Sequence, residues 1–125
     1  MKRVLVVDDD EGIRDFLKDS LEMQGYTTFA STNGADALAF LENNEVDLVL
    51  ADVRMPEIGG VDLARRVREI RATPVVLITG VHREEREKIR LESGAAACLP
   101  KPLRVQHLCD VLEQVFRDDP SSSGD

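Results

Sequence analysis

Val4-Leu5-Val6-Val7-Asp8-Asp9-Asp10 is the stretch that decides the fold. Its first four residues are apolar at every position rather than at every second one. A strand with no polar side has to be buried on both faces, as the central strands of parallel sheets are. The abrupt change to three aspartates marks the carboxyl end of that strand. In open parallel α/β sheets this is the edge where ligands bind.

Working outward, the pattern repeats. Ile13, Phe16, Leu17, Leu21 and Gln24 share one helical face, and Gly25 is placed to end the helix, so a first helix is predicted from about Glu11 to Gln24. Tyr26 to Ala30 reads as a shorter strand at a sheet edge. Asn33 then offers an N-cap with Asp36 three residues on, ahead of Ala37, Leu38 and Leu41. Leu48 to Ala51 is a third strand. The loop from Asp52 to Gly60 contains Pro56 and Gly59-Gly60, and it leads into a helix expected to bury Leu63, Ala64, Val67 and Ile70. Val75 to Ile78 is the fourth strand. Residues 82–93 have helix propensity but little apolar face, which predicts a loosely packed helix. Ala96 to Leu99 is a short fifth strand, and Val105, Leu108, Cys109, Leu112, Val115 and Phe116 form the stripe of a last helix.

Five strands alternating with five helices predict an α/β fold, a doubly wound parallel sheet covered on both faces. Residues 1–118 are expected to form one domain, and 119–125, Asp-Pro-Ser-Ser-Ser-Gly-Asp, a disordered tail or the start of a linker. With 24 acidic and 16 basic residues the net charge is −8, which argues against nucleic-acid binding by this domain, since affinity for phosphate backbones needs clustered cations. No apolar run approaches the roughly 20 residues that span a bilayer, and the start lacks a signal peptide's apolar stretch, so a cytoplasmic location without membrane contact is expected. Cys98 and Cys109 are too few and wrongly spaced for a zinc cluster and are expected to be buried thiols.

The polar residues that follow the apolar runs carry the chemistry. Strand 1 ends in Asp8-Asp9-Asp10, strand 3 in Asp52, strand 4 in Thr79 and strand 5 in Pro100-Lys101-Pro102. Carboxylates gathered from adjacent strands repel one another and call for a cation. Oxygen donors with no His or Cys among them suit Mg²⁺, which combines one or two carboxylates with phosphate oxygens. Lys101 and Thr79 bring a charge and a hydroxyl able to stabilise a transferring phosphoryl group, and Asp52 is the candidate attacking carboxylate. Taken singly, Asp8-Asp9-Asp10 reads as a solvated cap, Asp52 as a turn residue and Lys101 as an exposed one; it is their joint placement that favours a site. No GxxxxGK[ST] loop or Ser-His-Asp arrangement is present.

These motifs, with Asp-Val-Arg-Met-Pro at 52–56, Gly60, Leu-Ile-Thr at 77–79 and Leu-Pro-Lys-Pro at 99–102, resemble the response regulator receiver family from Lys2 to about Phe116. The resemblance implies a flavodoxin-like fold with strand order 2-1-3-4-5. It makes Asp52 the phosphoacceptor, Asp9 a direct Mg²⁺ ligand, Asp8 an acidic partner acting through water, and the Arg54 carbonyl a further ligand. Thr79 and Lys101 would engage the phosphoryl oxygens, and the bond before Pro102 would be cis. The partners implied are a sensor histidine kinase or phosphotransfer protein, a downstream output domain or protein, and a second copy in a homodimer through helix 4, strand 5 and helix 5. The switch would act on itself rather than as a conventional enzyme.

Several positions depart from the family's pattern. Cys98 stands where receivers commonly carry an aromatic residue that moves with the Thr. Gly59 replaces a frequent Asp and Gly80 a frequent Ala. Arg54 and Val81 lie where this family controls water access, and they suggest a long-lived phosphoryl group. Competing readings are a pseudo-receiver that binds partners without phosphorylation, an aspartyl-phosphate phosphatase, against which Arg54 stands where a second Asp is usual, and a flavin-binding domain, which the acidic triplet disfavours.

Overall fold

The computed structural model describes residues 1–118, and the tail expected at 119–125 lies outside the described residues. The element order is β1 (Arg3–Val7), α1 (Glu11–Met23), β2 (Thr27–Ser31), α2 (Gly34–Asn43), β3 (Leu48–Asp52), α3 (Gly60–Ile70), β4 (Val75–Thr79), α4 (Arg83–Ser93), β5 (Ala97–Pro100) and α5 (Val105–Asp118). All strands pair in parallel in one sheet of order β2-β1-β3-β4-β5.

Alternation along each strand splits the core into two layers. Leu5, Val7, Val49, Ala51, Val75 and Leu77 face α2 and α3, meeting Ala37, Leu41, Leu63, Ala64 and Val67, with Ile89 of α4 packed at the margin. Val4, Val6, Leu48, Leu50, Val76 and Ile78 face the other way, onto Leu17 and Leu21 of α1 and Leu108, Leu112 and Phe116 of α5. Helices therefore cover both faces, and the strands' carboxyl ends form the open rim that a crossover topology leaves for a ligand.

Some expected burials do not hold. Phe16 is 50% exposed, and Ile13 and Gln24 are exposed as well. The N-terminal half of α1 projects beside Lys101, Pro102 and Leu103 across a groove, so its apolar face has no sheet beneath it. Ile70, the last residue of α3, is also exposed, because the helix runs out there at the opposite edge of the sheet. Cys109 is buried, but Cys98 is only half-buried beside Arg83, Arg86 and Glu87. The element bounds differ from expectation by a residue or so: β2 starts at Thr27, β5 spans Ala97–Pro100, and α1 ends at Met23.

Candidate functional site

β1 and β3 are neighbours, with Val7 opposite Ala51, so the acidic residues that follow them emerge side by side. Asp52 closes β3 and is 5% exposed; Asp8, one residue past β1, is 2% exposed. Asp9 and Asp10 lie at the surface. β4 pairs with β3 on the far side and brings Thr79, itself buried, to the same edge.

Local hydrogen bonds fix the acidic turn. The Asp10 amide donates to Asp8 Oδ1 at 2.9 Å, and Asp10 Oδ1 accepts from the Ile13 amide at 3.1 Å, making Asp10 the N-cap of α1. The cap reading that the sequence offered for the acidic triplet thus falls on Asp10, an Asp placed just before a helical apolar pattern. Arg14 Nη1 donates to the Asp8 carbonyl at 2.9 Å, a contact without a sequence signature.

Asp52 is held at both oxygens. Its Oδ1 accepts from the Arg54 amide at 3.1 Å, and Lys101 Nζ reaches Oδ2 at 2.6 Å. The Lys101 amide donates to the Thr79 carbonyl at 2.9 Å, and the Lys101–Pro102 peptide is cis, as the resemblance implied. The Thr79 hydroxyl accepts from the Val81 amide at 3.4 Å.

Negative charge is crowded at this edge. Burial pushes the Asp8 carboxyl above its ordinary range; the Asp10 amide opposes this, the charge of Asp52 adds to it, Lys101 opposes it, and Asp9 adds again. The Lys101 ammonium thus faces two buried carboxylates, Asp8 and Asp52. The donor set, all oxygen, fits a hard divalent cation, which Asp8, Asp9, Asp52 and the Arg54 carbonyl could hold. No three His, Cys, Asp or Glu side chains among the described residues are already gathered into a metal-holding group. Asp8 and Asp52 are buried, Asp9 sits on the rim, and Lys101 occupies one Asp52 oxygen.

The site residues singled out by the sequence therefore fall on one edge, with Asp52 and Lys101 in direct contact. Cys98 stands apart from this contact, beside α4, and burial pushes its thiol pKa up, with Arg86 opposing the shift. No helix among the described residues is long and apolar enough to cross a membrane.

Comparison with known proteins points the same way. Residues 4–113 match the sequence profile of the response regulator receiver domain. The chain is 36% identical over 117 residues to the transcriptional regulatory protein CpxR of Klebsiella pneumoniae, covering 94% of this chain and 50% of that protein. It is 41% identical over 114 residues to the sensor histidine kinase RcsC of Salmonella typhimurium, covering 90% of this chain but 12% of that protein. The chain thus spans half or less of the length of these relatives. Among solved structures, the chemotaxis protein CheY4 of Vibrio cholerae superposes with a TM-score of 0.86 at 30% identity, covering 92% of this chain and 98% of that one. The response regulator TrrA of Thermotoga maritima, solved in complex with Mg²⁺-BeF, gives a TM-score of 0.82 at 29% identity, covering 92% and 99%.

Proposed function

Because the chain belongs to the response regulator receiver family of two-component systems, we propose that it is a switch in which Asp52 accepts a phosphoryl group. The observation that carries this reading is the buried Asp52 carboxylate, held at one oxygen by the Arg54 amide and at the other by Lys101. A sensor histidine kinase or phosphotransfer protein presents a phosphohistidine. An Asp52 oxygen attacks phosphorus, the P–N bond breaks, and its electron pair stays on the imidazole nitrogen. Lys101 then pairs with the phosphoryl oxygens in place of the carboxylate, and the Thr79 hydroxyl donates to them. Mg²⁺, held by Asp8, Asp9, Asp52 and the Arg54 carbonyl, would neutralise the charge that develops on the phosphoryl oxygens. TrrA, whose structure holds Mg²⁺ and a beryllofluoride, supports this choice of ion.

In this reading the domain spans residues 1–118 and its output face is that of α4, β5 and α5. That face is where an output domain, a downstream protein or a second copy of the chain would read the phosphorylated state. Both CpxR and RcsC extend well beyond the matched segment, so the receiver acts within a larger protein or on a separate one according to its context. The reaction modifies the chain itself rather than turning over a substrate, and it belongs in the cytoplasm, where the kinase's phosphohistidine is made.

Incubation with Mg²⁺ and acetyl phosphate, followed by intact-mass measurement, tests the reading. One phosphoryl adduct is expected, and it should be absent in Asp52→Ala. If the intact chain acquires no adduct, the phosphorylation-independent pseudo-receiver becomes the better account. Half-buried Cys98, in place of an aromatic reporter, is the observation that keeps that account in view.

A further inference from the structure

The Asp9 carboxylate, exposed on the rim, makes no hydrogen bond or ion pair among the described residues. Its aim is therefore set by the backbone alone, through the peptide that joins Asp8 to Asp9. The oxygen of that peptide is held by a single side chain: Arg14 Nη1, on the first turn of α1, donates to the Asp8 carbonyl at 2.9 Å. Arg14 is surrounded in sequence by Asp8, Asp9, Asp10, Glu11 and Asp15, yet among the described residues it makes no ion pair. Its own amide donates to the Asp10 carbonyl at 2.9 Å, which ties the guanidinium's base to the turn it braces.

We propose that Arg14 is a positioning residue that fixes the Asp8–Asp9 peptide, and so aims the Asp9 carboxylate at the divalent cation of the phosphoryl-accepting site. The inference rests on the proposed function for the identity of that cation. Its physical content is a sign. A guanidinium near a cation site repels the cation, so if Arg14 acted only through its charge, removing it would tighten Mg²⁺ binding. If Arg14 acts by holding the peptide, removing it frees the turn and weakens Mg²⁺ binding despite the lost repulsion.

Calorimetric titration of MgCl₂ into the 125-residue chain separates the two. Arg14→Met keeps a helix-forming stem while deleting donor and charge. One net hydrogen bond is worth about a factor of five in affinity, so Kd for Mg²⁺ should rise about five-fold in this variant. Arg14→Lys retains a charged donor and should bind within about two-fold of the unsubstituted chain. Thermal melts run beside the titrations should show both variants folded. Mg²⁺ bound by Arg14→Met as tightly as by the unsubstituted chain, or more tightly, overturns the proposal. So does a Lys variant no tighter than the Met variant. An unsubstituted chain that takes up no Mg²⁺ overturns the metal assignment itself, and with it this role; that outcome is distinguishable because it appears before any substitution.

Discussion

Asp8 is buried almost completely, one residue beyond a strand whose last four residues are buried, and two other carboxylates lie close enough to raise its proton affinity. A charge kept in such a place costs stability, a cost that the proposed divalent cation would offset. Asp8→Asn keeps an oxygen able to accept from the Asp10 amide and removes the charge. In Mg²⁺-free buffer at neutral pH the substitution is therefore expected to stabilise the fold, by on the order of 1 kcal/mol. Urea unfolding with and without Mg²⁺ reads the difference. The unsubstituted chain should gain stability on adding the ion, and Asp8→Asn should gain much less. A variant that is destabilised without metal would mean that the Asp8 charge is already well compensated in the bare site. At this scale the sequence spoke clearly for Asp8, Asp52 and Thr79, because each follows or closes a run of buried strand, whereas Lys101 follows the half-buried β5 and was marked by its flanking prolines. It was silent on Arg14 and Arg86, which donate to the carbonyls of Asp8 and Val81, since any residue can offer a carbonyl and no side-chain pattern marks it.

α4 buries only Ser93 and tucks Ile89 partly against the core, so apolar packing holds it weakly, as its run of charged residues foretold. Side-chain hydrogen bonds do part of that work instead. Arg65 Nε donates to the Glu92 carbonyl at 3.1 Å, Arg68 Nη1 to the Gly94 carbonyl at 3.5 Å, and at the other end Arg86 Nη1 to the Val81 carbonyl at 3.0 Å. Replacing Arg65 and Arg68 together by Ala removes both straps from α3, worth about 1 kcal/mol in all at this exposed position. Amide hydrogen exchange in α4 should then accelerate about five-fold, while β1, β3 and β4 keep their protection. Unchanged exchange in α4 would leave the helix held by Ile89, the Arg86 strap and its capping residues. The elements most legible in the sequence were those buried on both faces, β1, β3 and β4, where composition alone decides the matter. Periodicity was a poorer guide on the helices. It found the directions of Phe16, Ile13 and Ile70 but not that the sheet ends before their helices do, since how far a partner element extends is a tertiary fact.

Across the whole molecule, the sheet is one partition with two cores, and each strand contributes to both by turns: Val4 and Val6 to the side of α1 and α5, Leu5 and Val7 to the side of α2 and α3. The two layers are expected to loosen together, because the same backbone ladder would otherwise have to hold one set of side chains and release its neighbours. This coupling also keeps the carboxyl-end rim a single unit, since Asp8 leaves β1 and Asp52 closes β3, strands shared by both layers. Unfolding should accordingly be one cooperative transition. Tyr26, packed with its ring centroid 5.9 Å from that of Phe116, reports on the α1 and α5 side, and Leu41 of α2 is fully buried on the other. Leu41→Ala is expected to destabilise the fold by about 3 kcal/mol. The decisive measurement is the urea midpoint followed by Tyr26 fluorescence against that followed by far-ultraviolet circular dichroism. Both should fall together and by the same amount, although the cavity lies across the sheet from the fluorophore. A Tyr26 midpoint that stays in place while the dichroism midpoint drops would show two layers that melt separately. A phosphorylation signal arriving at the rim would then have no rigid partition through which to reach α4.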